Sequence, residues 1–313
     1  MIGIQAIGTY IPAGRIDNRE RATQFEVDES FLREKSGMLR LAIREPNEET
    51  SDLCRKAFVD LQRKVALRPE EVDCIVVCTQ NPDGHGLPHT SAAVHAALGL
   101  PDACAAFDIS LGCSGFVYGL SAIQCFMEGN GFRRGVLFTA DPYSKIIDPQ
   151  DKSTSLLFGD AAAATLISDT PIWRTGRFMF GSHGQDRDAI QVDPATGKLS
   201  LNGRAVFTFS ATVVPNNIKT MLEANGLSID DIDYFALHQG SRYIVDTIRK
   251  RLGIAEQKAP FVAADYGNTV CSSIPIILST APAELRRIVI AGFGVGLSWA
   301  SSVLYRVEQG ATE

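Results

Sequence analysis

The sequence has few of the features that define membrane-spanning or nucleic-acid-binding chains. Its apolar runs are all shorter than the roughly 18 residues that a membrane helix needs. Its 30 Lys and Arg residues are outnumbered by 36 Asp and Glu residues, and the net charge of −6 argues against nucleic acid as a general partner. No basic leader precedes the first apolar run. We therefore expect a cytoplasmic protein with no signal peptide and no membrane partner.

The sequence also lacks the residue spacings of common metal sites. Its seven cysteines are an odd number, and they are scattered through apolar segments in a way that suits a reducing compartment. His85, His89 and His95 do not form the acid-flanked i, i+4 pair of a zinc helix. We expect no metal, and we expect Cys74 and Cys78 to pack on one face of a strand.

The chain is nevertheless long and apolar enough for a large core. With 313 residues, 45% of them hydrophobic, it predicts one large domain or two joined ones. The patterns predict a first strand near the N-terminus, a helix over 17–35 and a second helix over 50–66. The apolar run 74–78 is typical of a strand buried on both faces of a parallel sheet.

Two weak similarities between segments of the sequence indicate an internal duplication. Segment 66–80, ALRPEEVDCIVVCTQ, resembles segment 226–240, GLSIDDIDYFALHQG, and RRGVLFTADPYS at 133–144 resembles RRIVIAGFGVGLS at 286–298. Both pairs occur in the same order, which predicts two packed α/β halves. We place these halves at residues 1–170 and 171–313. The loops after their strands are then expected to converge on a shared interface.

One thiol in the first half occupies a position suited to a nucleophile. Cys113 lies in FDISLGCSGFVYGL, between an apolar run and a segment that predicts a helix. The unpaired N–H groups and positive dipole at a helix N-terminus favour a thiolate, so we expect a lowered pKa. The alternative is a small buried side chain that only packs.

Polar groups in the second half fall at predicted strand ends or in the loops after them. They are His238 in ALHQGS, Asn268 in DYGNTVCSS and the glycine-rich segment Gly292–Gly296. Each has a structural alternative: a histidine bonded to its own loop, an asparagine in a tight turn, and a bend where backbones approach. Their shared placement predicts that a Cys, a His and an Asn meet between the halves.

Such a set suits acyl transfer followed by carbon–carbon bond formation. A thiolate takes an acyl group from a thioester, and backbone N–H groups hold the oxyanion. His and Asn would donate two hydrogen bonds to a thioester oxygen and stabilise the enolate left when a malonyl group loses carbon dioxide. A thioesterase or plain acyltransferase, and a non-catalytic partner subunit, are the competing hypotheses.

The motifs resemble those of the β-ketoacyl-acyl-carrier-protein synthase III family of the thiolase superfamily along nearly the whole chain. The matching stretches are AFDISLGCSGFVYGL, LLFGDAAAA, ALHQGS, YGNTVCSSIP and GFGVGLSWAS. The resemblance implies a five-layer, duplicated α/β fold and a homodimer. It assigns catalysis to Cys113, His238 and Asn268, and oxyanion binding to the backbone N–H groups of Cys113 and Val295.

The resemblance also implies that the substrates are coenzyme A thioesters, that no prosthetic group is bound, and that an acyl carrier protein is a partner. Lys stands at positions where the family has Arg, and Phe where it has Trp, which weakens the predicted coenzyme A contacts. Leu87, expected to reach across the dimer, and Phe293 are assigned to the acyl pocket. The predicted coenzyme A contacts are Phe31, Lys35, Lys152, Gly203, Phe207 and Ser241, and the predicted carrier-docking residues are Arg242, Arg249, Lys250 and Arg251.

These departures from the family pattern favour a branch outside housekeeping fatty-acid initiation. We expect an enzyme that condenses longer or unusual acyl chains, for example an alkyl-resorcinol, cyclohexanedione or quinolone type of ketosynthase. Initiation of fatty-acid synthesis from a short acyl-coenzyme A is the other possibility that the motifs leave open.

Overall fold

The fold was analysed in a computed structural model, which describes residues 2–308. Within this range the strands are β1 (Gly3–Tyr10), β2 (Gly14–Asp17), β3 (Arg40–Ile43), β4 (Cys74–Cys78), β5 (Ala105–Ile109), β6 (Arg134–Ala140), β7 (Ala162–Ser168), β8 (Trp173–Thr175), β9 (Met179–Ser182), β10 (Ile190–Val192), β11 (Leu199–Leu201), β12 (Tyr234–Leu237), β13 (Arg287–Gly294) and β14 (Ser298–Arg306). The α-helices are α1 (Thr50–Lys64), α2 (Thr90–Leu98), α3 (Gly115–Asn130), α4 (Lys152–Ser155), α5 (Gly203–Ala224), α6 (Arg242–Leu252) and α7 (Ser273–Ser279).

A ten-stranded sheet runs through residues 2–308. Its order is β12-β13-β14-β8-β1-β7-β6-β4-β5, with β9 added beside β14. The short strand β8 pairs with both β1 and β14 and so joins the two halves of the sheet. In the first half β4 runs parallel to β5 and β6, and in the second half β12 runs parallel to β13.

The core consists of side chains packed on both faces of each half of the sheet. Ile75 and Val77 of β4 pack with α1 and α2, whereas Cys74, Val76 and Cys78 pack with α3 and α7. The alternation confirms that this strand is buried on both faces. Helices α3 and α7 lie between the halves, and α5 and α6 cover the far side, so the described chain forms five layers. None of the helices in residues 2–308 has both the length and the apolar composition needed to cross a bilayer.

The two halves repeat one hydrogen-bond pattern. Asp73, just before β4, accepts hydrogen bonds from the backbone N–H groups of Arg133 and Arg134 at 2.7 and 2.8 Å. Asp233, just before β12, accepts the equivalent bonds from Arg286 and Arg287, both at 2.8 Å. The segments that the sequence paired therefore occupy equivalent places, whereas the boundary at residue 170 stays a prediction.

The helix predicted over 17–35 is wrong. Turns occupy most of this segment, and a short π-helix, Phe31–Ser36, ends it. The side chain of Asn18 is buried and donates hydrogen bonds to the carbonyl oxygens of Met38 and Leu156, so it ties segments together instead of capping a helix. Glu26 has a φ of 49°, which a continuous helix excludes.

Candidate active site

A cavity of about 520 Å³ contains the side chains that the sequence singled out. Cys113 comes from the loop just before α3, His238 from the loop after β12, and Asn268 from the loop before α7. Their exposed fractions are 7%, 2% and 4%, so the three groups lie deep in the protein. The other predicted site residues that line the cavity are Phe31, Lys35, Lys152, Gly203, Phe207, Ser241 and Phe293.

The thiol of Cys113 is protonated in the free protein, contrary to the predicted lowered pKa. Burial, followed by the negative charge of Asp141, raises its pKa to about 12. The backbone N–H of Val295 acts in the opposite direction by hydrogen bonding to the thiol. The position of Cys113 just before helix α3 was predicted correctly. Burial, however, raises the pKa of the thiol more than the helix N-terminus lowers it.

The glycine-rich segment is shaped by its close approach to this cysteine. A Cβ added to Gly294 would lie 2.8 Å from both Cβ and Sγ of Cys113, and one on Gly292 would lie 2.7 Å from the Cys113 carbonyl oxygen. Real side chains do not tolerate such contacts. The absence of side chains at the end of β13 therefore creates the space that the thiol occupies.

Asn268 is held at both its backbone and its side chain. Its N–H donates to the carbonyl oxygen of Leu157, and its own carbonyl accepts from the N–H of Gly159. A Cβ on Gly159 would overlap the Tyr266 carbonyl oxygen, which explains the glycine of the LLFGD stretch. The side-chain Oδ1 accepts from Val270 N–H at 2.9 Å. This bond leaves the NH₂ group as the end of Asn268 that is free to donate.

Val270 has an unusual backbone conformation. Its φ is 52°, a left-handed value that is rare for a β-branched residue and is found mostly where surrounding contacts enforce it. The residue is fully buried, and its N–H is directed to Asn268. Its carbonyl accepts a hydrogen bond from the backbone N–H of Ser273 and lies 3.1 Å from the hydroxyl oxygen of the same residue.

His238 is neutral over the whole physiological pH range. Burial lowers its pKa to about 3, although a hydrogen bond with the Val270 carbonyl favours the protonated form. Its Nδ1 lies 2.8 Å from the hydroxyl oxygen of Ser273, and its ring meets Phe293 edge-on with centroids 5.4 Å apart. The ring therefore has a fixed orientation, with the opposite nitrogen left for a ligand.

Sequence reasoning missed a buried carboxyl behind the nucleophile. Asp141 has no exposed surface, and burial raises its pKa to about 6 against opposing hydrogen bonds, foremost that from Gln80 N–H at 2.7 Å. Its Oδ2 has no hydrogen-bond partner among the described residues. Asp141 directly follows β6, so the strand-end rule applied to His238 would have singled it out as well.

The mouth of the cavity combines aromatic rings with cations. Lys35 Nζ lies 3.9 Å from the ring centre of Tyr243, and Lys152 Nζ lies 5.5 Å from that of Phe31. Phe207 stacks on Tyr243 with centroids 4.9 Å apart. Tyr243 and Arg204, which also line the cavity, were not predicted, because nothing distinguished them in sequence from other residues on helix surfaces. The hydroxyl of Ser241 accepts a hydrogen bond from Ile244 N–H and caps α6.

Several predicted residues lie outside the cavity. Leu87 is 92% exposed, so a role in the acyl pocket depends on a second copy of the chain. Arg249 is poorly placed for docking because its side chain is only 14% exposed and pairs with Asp246 and Glu256. Arg242 lies against the ring of Phe261. Lys250 and Arg251 are exposed, and their docking role stays a prediction.

Gly294→Ala should abolish reaction at Cys113, because the new methyl group would occupy the space of the thiol. Reaction with iodoacetamide, followed by mass spectrometry of the peptide that contains Cys113, measures this loss separately from reaction at the exposed Cys125. Gly129→Ala in α3 is the matched control, since an added Cβ there has no neighbour within 4 Å. Equal rates in the two variants would show that the thiol does not depend on this contact.

Asp141→Asn should change how stability depends on pH. A carboxyl whose pKa is raised to about 6 stabilises the folded state below its unfolded pKa, near 4, and loses this contribution as pH rises through 6. The free energy of unfolding of the unmutated protein, relative to the variant, should therefore fall by about 3 kcal/mol between pH 4 and pH 7. Urea denaturation at several pH values measures it. Asp102→Asn, at an exposed position, is the surface control, and a flat difference for Asp141→Asn would contradict the assignment.

Comparison with known proteins supports the resemblance. The family model described as 3-oxoacyl-[acyl-carrier-protein] synthase III matches residues 107–184, and its C-terminal counterpart matches residues 222–306. The β-ketoacyl-[acyl-carrier-protein] synthase III of Lactococcus lactis subsp. lactis is 33% identical over 321 residues, covering 96% of this chain and 98% of that protein.

Solved structures extend the agreement to the fold. The synthase III of Thermus thermophilus superposes with a TM-score of 0.90 at 30% identity, covering 97% of this chain and 99% of that one. The priming β-ketosynthase of the R1128 polyketide biosynthetic pathway has a TM-score of 0.88 at 27% identity, covering 98% and 96%. The thiolase-like fold predicted from the motifs is confirmed. The chain belongs to the β-ketoacyl-acyl-carrier-protein synthase III family of condensing enzymes.

Proposed function

We propose that the protein loads an acyl group from a coenzyme A thioester onto Cys113 and then condenses it with a malonyl thioester. In the first step, a bond forms between Sγ and the acyl carbon, the donor's carbon–sulfur bond breaks, and the thiol proton ends on coenzyme A. In the second step, the malonyl carboxylate leaves as carbon dioxide, and the electron pair of the broken carbon–carbon bond forms an enolate. The enolate carbon bonds to the acyl carbon, the bond between the acyl carbon and Sγ breaks, and the Cys113 thiolate takes up a proton from water.

The paired donors beside the thiol carry this proposal. The Asn268 amide is oriented so that its NH₂ end is free, and the neighbouring His238 is neutral and fixed. Two donors aimed at one thioester oxygen stabilise an enolate, which a hydrolase does not form. The N–H of Val295, already bonded to the thiol, fits the oxyanion of the acylation step.

The mouth of the cavity supports coenzyme A as the acyl donor. The rings of Phe31, Phe207 and Tyr243 provide flat apolar surfaces for a nucleobase, and Lys35, Lys152 and Arg204 provide positive charge for phosphates. Lysines act as point charges here, so phosphate recognition is less directional than with arginine.

The inner lining supports an acyl chain longer than acetyl. Phe158, Ile190, Leu201, Val206 and Phe293 all border the cavity, and the ring of Phe293 meets that of His238. A priming ketosynthase of a polyketide pathway is among the similar structures. We therefore favour a secondary-metabolism ketosynthase over fatty-acid initiation.

A homodimer and a carrier-protein partner complete the proposal. The exposed Leu87 and the edge position of β5 in the sheet suit contact with a second copy. The exposed Lys250 and Arg251 at the end of α6 suit an acidic carrier protein.

Loading of Cys113 should be selective for longer acyl chains. Intact mass after incubation with coenzyme A thioesters from acetyl to dodecanoyl measures the adduct, and Cys113→Ala should show none. Loading from acetyl-coenzyme A alone would overturn the chain-length assignment. Adducts that persist in Cys113→Ala would overturn the choice of nucleophile.

Variants of the two donors should separate the half-reactions. Asn268→Ala should still form the acyl-enzyme but should slow carbon dioxide release from a malonyl thioester by about 10²–10³-fold, the usual cost of losing one such donor. Mass spectrometry follows the first step and labelled carbon dioxide the second. If the unmutated enzyme forms the acyl adduct but releases no carbon dioxide, the thioesterase or acyltransferase alternative is correct. An unchanged product rate in Cys113→Ala would instead favour the non-catalytic subunit.

A further inference from the structure

Two residues, Ser273 and Val270, provide hydrogen-bond partners for the imidazole of His238. The hydroxyl oxygen of Ser273 lies 2.8 Å from Nδ1, and the carbonyl of Val270 also hydrogen-bonds to the imidazole. Ser273 and Val270 are both fully buried, so water does not replace either contact. Whether the proton of the neutral imidazole is on Nδ1 or on Nε2 depends on which of these two residues forms the hydrogen bond to Nδ1.

The two partners differ in whether they can donate a hydrogen bond. A carbonyl only accepts hydrogen bonds, and a pairing with Val270 alone would place the imidazole proton on Nδ1. A hydroxyl can donate. The Val270 carbonyl already accepts the backbone N–H of Ser273, so it keeps a partner when the Ser273 hydroxyl turns toward the imidazole.

We propose that Ser273 is a positioning residue that donates its O–H to Nδ1 of His238 and thereby keeps the proton of the neutral imidazole on Nε2. The inference rests on the proposed function, because only decarboxylative condensation requires Nε2–H as a donor to the thioester oxygen. Asn268 supplies the second donor, and its orientation depends on the N–H of the same Val270. One strained residue thus serves both donors, and Ser273 determines the state of one of them.

Removing the hydroxyl should exchange the two tautomers. In Ser273→Ala the Val270 carbonyl, which hydrogen-bonds to the imidazole and can only accept, remains as a partner. We expect it to draw the proton to Nδ1, so that Nε2 becomes an acceptor. Condensation then loses one donor and should slow by about 10²–10³-fold. Acylation uses the Cys113 thiol and the Val295 N–H and should stay within about threefold.

The test combines a spectroscopic and a kinetic measurement. Nitrogen-15 NMR of protein labelled in the histidine rings distinguishes the two tautomers, and His238→Gln identifies the signal of His238 among the five histidines. Acyl adduct formation and carbon dioxide release are measured on the same samples. Ser272→Ala is the matched control: Ser272 is the adjacent, equally buried serine, and its hydroxyl bonds to Thr139 instead of to the histidine.

We expect Nε2–H in the unmutated protein and in Ser272→Ala, and Nδ1–H in Ser273→Ala together with the selective loss of condensation. Nδ1–H in the unmutated protein would overturn the proposal without any variant, even if Ser273→Ala failed to fold. Retention of Nε2–H in Ser273→Ala would also overturn it. Absence of carbon dioxide release from the unmutated enzyme would instead count against the proposed function, and the tautomer would still be read independently.

Discussion

Exclusion of water is the physical constraint on which the site depends. The same burial that raises the pKa of the Cys113 thiol also lowers that of His238 and raises that of Asp141. Cys113 and His238 are held in their neutral forms at pH 7, because a charge in the cavity has little solvent to stabilise it. Asp141, with a pKa of about 6, is largely ionised at that pH, and its charge helps to keep the Cys113 thiol protonated.

The sequence was most informative about features for which a residue's position in the pattern of strands and loops determines its place in the fold. Cys113, His238 and Asn268 were predicted to converge because all were placed at strand ends or in the loops after them, and the cavity contains all three. Cys113 and His238 do follow β5 and β12, whereas α6 separates Asn268 from the nearest preceding strand. The buried strand β4 was likewise predicted with its observed bounds, since a run of five apolar residues leaves no solvent-facing side. These features follow from periodicity and from the geometry of parallel strands.

Features that depend on tertiary contacts were not predictable. The segment 17–35 has the composition of a helix, yet the burial of Asn18 against Met38 and Leu156 prevents one. The prediction of a thiolate at Cys113 was wrong, because a local sequence pattern indicates a helix N-terminus but not how deeply the residue is buried. Ser273 lies within the matching stretch YGNTVCSSIP, but nothing in that stretch shows that its hydroxyl contacts His238, which is 35 residues away in the sequence.

The cations at the mouth have a consequence for how fast substrates arrive. The chain carries a net charge of −6, so the anionic thioester that we propose as substrate would be repelled at long range and attracted near Lys35, Lys152 and Arg204. At physiological ionic strength the Debye length is about 8 Å, comparable with the dimensions of the mouth itself. Salt therefore screens the distant repulsion more than the local attraction, and capture of the substrate is controlled by the last few ångströms of its approach.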